Sequence, residues 1–165
     1  MLTKKRLIMT IFFLIVFLMV GTAYSGGDDC LFCGMKRSQF GHSWVVLEHD
    51  DTTFTGVCSV HCAAIYMALH TGEFISRITV GDYNTQKQID ADNAFWVIGG
   101  DKIGVMTTRA KWAFETKEAA DDFMRKHGGR PSTFNETLKA SFEDMYEDIL
   151  MIQKKRIMMK IKKSL

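Results

Sequence analysis

The sequence predicts an α+β fold that consists of two small ββαβ units followed by a long C-terminal amphipathic helix. Two observations carry this prediction. Each half of the chain shows two strand patterns, one helix pattern and a further strand, and apolar residues then recur every three or four positions. The chain is accordingly divided into a signal sequence over residues 1–25, a central domain over residues 26–135 and a basic helix over residues 136–165.

The first unit begins with an alternating segment. Apolar side chains point to both faces in turn over residues 42–48, which is typical of a strand, and residues 53–57 are rich in β-branched residues. Ser59 is a suitable N-cap for a helix that runs to about residue 69. Residues 75–80 then complete the unit as a third strand.

The second unit repeats this order. Residues 95–98 and 111–114 are predicted strands, and Thr116 begins a helix that ends at Gly128. Residues 132–134 are predicted to form a short last strand.

The rest of the chain is predicted to be one helix with an apolar stripe. Its members are spaced four, three, four and three residues apart, and they are Leu138, Phe142, Met145, Ile149 and Ile152. Such a stripe is buried against another surface, either the body of the protein or a second copy of the chain.

The N-terminus has the features of a signal sequence. Residues 4–6 are basic, residues 7–20 are uncharged and apolar, and the small residues Ala23 and Ser25 precede a predicted cleavage before Gly26. The uncharged stretch is also close to the shortest length that spans a bilayer, so an uncleaved anchor is the alternative. We therefore expect a periplasmic protein, or one anchored to the inner membrane if the signal is retained.

Charge is segregated along the chain. The formal net charge is +2, but it becomes −1 without the three leader cations and about −7 without the six cations of residues 154–163. The basic tail is suited to an anionic membrane surface or an acidic partner, or its cations only stabilise the end of the helix. Basic residues do not interleave with aromatic residues in the acidic body, which argues against nucleic-acid binding.

The four cysteines form two pairs. Cys30 and Cys33 form a Cys-x-x-Cys turn, while Cys58 and Cys62 flank the first turn of a predicted helix. A knuckle, a hairpin and a helix in this order can bring all four sulfur atoms together, as in Cys₄ zinc sites. Disulfide bonds are the alternative, because an exported protein can form them.

Two methionines lie beside glycines in predicted turns. Met35 follows Cys33 and Gly34, and Met106 lies in a glycine-containing loop. Thiolate and thioether ligands together select Cu(I), whereas four thiolates suit zinc equally well. His42 and His61 are further candidate ligands.

Signatures of common enzymes are absent from the sequence. It has no glycine-rich phosphate loop, no nucleophile elbow and no zinc-protease motif. The Cys-x-x-Cys turn also lacks the following amphipathic helix that lowers a thiol pKa in thioredoxin-like folds. We therefore predict a metal-binding protein and not an enzyme.

Several short segments, taken in order, resemble the NosL family of nitrous oxide reductase accessory proteins. They cover roughly residues 30–138, and they are Cys33-Gly34-Met35, residues 82–85 and 89–91, residues 94–99, Gly104-Val105-Met106, and His127-Gly128-Gly129 before Phe134. The resemblance implies a fold similar to that of organomercurial lyase. It also implies that Cys33, Met35 and Met106 bind Cu(I), which is supplied to a recipient cuproenzyme, nitrous oxide reductase, or to its assembly machinery.

The chain departs from that family in three respects. It lacks a lipoprotein signal, it carries Cys30, Cys58 and Cys62 in addition, and it extends into the basic helix. Residues 30–62 also resemble the treble-clef modules of the TRASH and YHS type. Two hypotheses follow: an exported Cu(I) metallochaperone, or a structural Cys₄ zinc module that supports an interaction domain.

Overall fold

The computed structural model describes residues 27–164, so the predicted signal sequence lies outside the described residues. The elements, in chain order, are α1 (Arg37–Phe40), a 3₁₀ turn (Gly41–Ser43), β1 (Val45–His49), β2 (Phe54–Val57), α2 (Val60–Leu69), β3 (Ile75–Gly81), β4 (Gln88–Asp90), β5 (Phe95–Ile98), β6 (Lys111–Phe114), α3 (Lys117–His127), β7 (Arg130–Ser132) and α4 (Phe134–Ser164).

Two antiparallel sheets make up the body. The first has the strand order β2-β1-β3-β4 and the second the order β6-β5-β7. The predicted order of strands and helices is therefore confirmed in both halves. Strand β4 is an addition that sequence analysis did not identify, because three residues are too few to display an alternating pattern.

A turn after β3 joins the two sheets. The buried Asp82 forms an isolated parallel bridge with Ala113, and its Oδ2 accepts a hydrogen bond from the Glu115 N–H at 2.9 Å. Its Oδ1 accepts hydrogen bonds from the backbone N–H groups of Asn84 and Thr85. One carboxylate thus satisfies donors in both halves of the molecule, and this joins the halves around one core.

The start of the first strand differs from the prediction. Residues 41–43 form the 3₁₀ turn, and the strand runs from Val45 to His49 instead of over residues 42–48. Alternation there does not separate a buried face from an exposed face, because Trp44 through Leu47 are all buried. Packing on both sides of the sheet accounts for this run of apolar residues.

The predicted strand at residues 132–134 is displaced by two positions. Strand β7 is Arg130–Ser132, and Phe134 begins α4 and packs against Trp96 with ring centroids 5.7 Å apart. A capping box explains the change: the Glu136 carboxylate accepts from the Thr133 N–H, and Thr133 Oγ1 accepts from the Glu136 N–H.

Helix α4 buries the stripe that its periodicity predicted only in part, because Leu138, Met145 and Ile152 are half-buried. Phe142 and Ile149 are 44% and 42% exposed, whereas Thr137, Ser141 and Asp148 are buried. The buried face carries small and charged residues because α4 packs against α2 through polar contacts, described below. None of the helices within residues 27–164 is long and apolar enough to cross a membrane.

Candidate metal centre

The four cysteine sulfur atoms lie together at one side of the first unit. All four Sγ atoms are within 4.8 Å of one another. The Sγ atoms of Cys33 and Cys58 are 3.4 Å apart, and those of Cys58 and Cys62 are 3.6 Å apart. All four cysteines are free thiols in this structure, so their sulfur atoms form a thiol cluster.

The Cys-x-x-Cys turn is shaped by its backbone. The Cys30 N–H donates to the Met35 carbonyl at 2.8 Å, and the Gly34 N–H donates to the Cys30 carbonyl at 2.9 Å. Gly34 has a φ of 72°, which side chains with a Cβ rarely adopt. This knuckle directs the sulfur atoms of Cys30 and Cys33 to the same side.

The other pair lies at the junction of β2 and α2. Cys58 follows the last residue of β2, and Cys62 lies in the first turn of α2. The buried Ser43 Oγ donates to the Cys58 carbonyl at 2.8 Å, which ties the junction to the 3₁₀ turn before β1. The hairpin and the helix thereby hold two thiols against the knuckle, as the spacing predicted.

Because the four thiols are in contact, their pKa values shift in opposite directions. The pKa of Cys30 is lowered because its thiolate accepts hydrogen bonds from the other three thiols. The contact with Cys30 acts to raise the pKa of Cys33, but hydrogen bonds from Cys58 and Cys62 outweigh it and lower the value to about 7. The pKa values of Cys58 and Cys62 are raised, first by the contact with Cys30 and then by that with Cys33.

A pocket of about 380 Å³ opens beside the cluster. Cys33, Met35 and Met106 all line it, although Met106 is more than 70 residues away along the chain. Met106 has a left-handed φ of 60°, a conformation that costs a residue with a Cβ on the order of 1 kcal/mol. The three residues that sequence comparison singled out therefore share one cavity.

Helix α4 also lines the pocket. Its lining residues include Met151 and Met159, together with the cations Lys155 and Arg156. Sequence analysis missed both methionines, since the predicted stripe had placed other residues on the packed face. Their separation by eight residues, about 2.2 turns, keeps them within about 80° of each other around the helix axis, and this spacing was the available signal.

The two candidate histidines have different surroundings. His42 lines the pocket, and partial burial lowers its pKa, so the imidazole is neutral over a wider pH range. His61 is not part of the thiol cluster. It is completely buried, and its Nδ1 donates to Asp148 Oδ2 at 3.1 Å. His61 thus connects α2 to α4.

Two carboxylates of α4 fasten the Met106 loop to the helix. Asp148 Oδ1 accepts from the Thr108 N–H at 2.9 Å. One turn earlier, Asp144 receives hydrogen bonds from Arg109 and from the buried Lys111, whose Nζ lies 2.8 Å from Asp144 Oδ2. We call Asp144, Asp148, Arg109 and Lys111 the helix clamp.

Comparisons with known proteins agree with this geometry. The chain matches the NosL family model over residues 22–142. Its fold is similar to the crystal structure of the copper chaperone NosL from Shewanella denitrificans, with a TM-score of 0.56 and 21% sequence identity, over 70% of this chain and 93% of that chain. No protein with a curated description matches the sequence. The predicted α+β fold is confirmed, and residues 143–164 of α4 extend beyond the family match.

Proposed function

The chain belongs to the NosL family, and from that premise and the sulfur geometry we propose that it binds Cu(I) and supplies it for maturation of a cuproenzyme. The observation that carries this proposal is the position of Cys33. It belongs to the thiol cluster and also lines the pocket that contains Met35 and Met106. A thiolate beside thioethers is the ligand set that Cu(I) prefers.

Partial access to the site favours transfer over permanent storage. Cys30, Cys58 and Cys62 are buried, with at most 3% of each residue exposed, whereas Cys33 is half-buried at the pocket wall. A recipient thiolate could therefore approach an ion bound to Cys33 and exchange ligands with it. The activity we propose is metal delivery and not catalysis.

Sequence features and the family support the location and the recipient that we propose. The basic leader and its apolar run support a cell-envelope protein, either periplasmic or anchored to the inner membrane. The similar structure is that of a copper chaperone. We propose a nitrous oxide reductase-like enzyme, or its assembly machinery, as the recipient of the copper.

A titration tests the proposal. The reduced protein is titrated anaerobically with Cu(I) in the presence of a competing chelator. We expect one tightly bound equivalent, which Cys33→Ala or Met35→Ala weakens. Met145→Leu, a matched change on α4 away from the pocket, should leave binding unaltered. Unchanged binding in both site variants would refute the proposed ligand set.

A structural zinc site is the second candidate, and one observation favours it. Zn–S bonds of about 2.3 Å in a tetrahedron place sulfur atoms roughly 3.8 Å apart, and two of the sulfur pairs here are 3.4 and 3.6 Å apart. Under this hypothesis, removal of the metal with a chelator unfolds the protein. Under the copper hypothesis, the metal-free reduced protein keeps its circular dichroism spectrum and a cooperative thermal transition.

A further inference from the structure

The part of α4 beyond the family match brings sulfur to the pocket. Met151 and Met159 lie on one face of the helix, and both line the cavity that contains Met35 and Met106. Met151 is half-buried, whereas Met159 is 59% exposed. Met151 is therefore the inner of the two, and Met159 lies at the open end.

The helix clamp fixes this part of α4 against the Met106 loop. Asp148, which is buried, bonds to the Thr108 N–H of the loop and to His61 of α2. Met151 follows Asp148 by three residues, or about 4.5 Å of helix rise. The register of Met151 is thus set by bonds to the two segments that carry Met106 and Cys62.

We propose that Met151 is a thioether ligand of the metal held at Cys33, so that α4 is part of the metal site. This inference rests on the proposed function, because it assumes that a soft ion binds in the pocket. Thioethers are neutral and bind hard cations poorly, so a third thioether beside Met35 and Met106 favours Cu(I) over hard divalent ions.

The charges at the pocket agree with a soft monovalent ion. Lys155 and Arg156 line the same cavity, and their positive charges repel a divalent cation about twice as strongly as a monovalent one. Met159 is more exposed than Met151, so it lies nearer the opening of the pocket.

Methionine methyl resonances test the assignment directly. The reduced protein is labelled with ¹³C at the methionine ε-methyl groups and titrated with Ag(I), a redox-stable analogue of Cu(I). We expect the Met35, Met106 and Met151 signals to shift together up to one equivalent. Met145, a half-buried methionine of α4 that does not line the pocket, should not shift. An unmoved Met151 signal alongside shifted Met35 and Met106 signals would overturn the inference.

Substitution separates this inference from the proposed function. Met151→Leu nearly conserves side-chain volume and should weaken Cu(I) binding roughly tenfold, a change of about 1.4 kcal/mol. Met145→Leu, the control used above, should bind like the unaltered protein. Tight binding that is equal in all three proteins refutes a role for Met151 and leaves the proposed function intact. Absence of tight binding in the unaltered protein refutes both.

Discussion

Cys33 differs from the other cluster cysteines in its access to solvent. It lines the pocket, while Cys30, Cys58 and Cys62 are buried. We expect iodoacetamide to alkylate Cys33 first in the reduced, metal-free protein, with the other three protected until the protein opens locally. Peptide mass spectrometry at successive times measures the order. Equal labelling of Cys33 and Cys62 in the folded protein would contradict this description of the site.

Gly81 occupies a position that excludes any side chain. A Cβ at Gly81 would overlap the carbonyl oxygen of Gly41, next to His42 of the pocket. We expect Gly81→Ala to lower the free energy of unfolding by about 3 kcal/mol, because backbone and not a flexible side chain must move. Urea unfolding measures the loss. Gly72→Ala, where a Cβ meets no atom within 4 Å, serves as the control and should change stability little.

Among the contacts between elements, the helix clamp makes the free energy of unfolding depend on pH in acid. Burial acts to raise the pKa of Asp144, but hydrogen bonds from Arg109 and Lys111 outweigh it and the pKa is lowered. A carboxyl whose pKa is lower in the folded state stabilises the fold above its unfolded pKa. That stability is lost as pH falls through the folded value. Unfolding free energies should therefore decrease as pH falls below about 4.

The variant Asp144→Asn tests this dependence. It leaves the buried Lys111 ammonium without its carboxylate, although Asp148 and the Arg109 carbonyl remain near it. We expect a loss of about 3 kcal/mol at pH 7 and a flatter decline of stability in acid. Asp121→Asn, at an exposed ion pair on α3, is the control. A decline in acid as steep as that of the unaltered protein would show that Asp144 does not contribute.

Sequence patterns predicted where the helices begin and end better than they predicted which face of a helix is buried. The bounds of α2 and α3 follow from Ser59, Thr116 and Gly128, because start and stop signals are local. The buried face of α4 could not be predicted, since it depends on ion pairs with a loop more than 30 residues away. The thiol cluster was predictable because its pairs are each local and one hairpin joins them.

Over the whole molecule, positive charge is concentrated at the C-terminal end of α4. No acidic residue follows Asp148, and α4 ends with six cations. Leu150, Ile157 and Ile161 lie within about 40° on one face of this helix, opposite the pocket, and all three are exposed. An apolar face flanked by lysines is the pattern of a helix that lies on an anionic membrane surface.

We therefore expect the protein to bind vesicles that contain anionic phospholipid. Sedimentation with such vesicles at low salt should carry down most of the protein. Binding should fall sharply at about 0.5 M salt, where charges are screened beyond a few ångströms. Replacing Lys160, Lys162 and Lys163 by Gln should weaken it similarly. Equal sedimentation with uncharged phosphatidylcholine vesicles would contradict an electrostatic contribution.

Only some of the residues that meet at the pocket could be predicted from the sequence. Cys33, Met35 and Met106 were identified by resemblance, whereas Met151 was not, because the helix that carries it extends beyond the family match. Bonds of Asp148 to the loop and to His61 bring these residues together. Such pairings between distant segments leave no local pattern.

The proposal that Cys33 holds Cu(I) is best tested by the metal content of the protein purified anaerobically from envelope extracts, together with a count of free thiols. We expect about one equivalent of copper, which is lost in the Cys33→Ala form. One equivalent of zinc with all four thiols masked, and no copper after exposure to Cu(I), would contradict it.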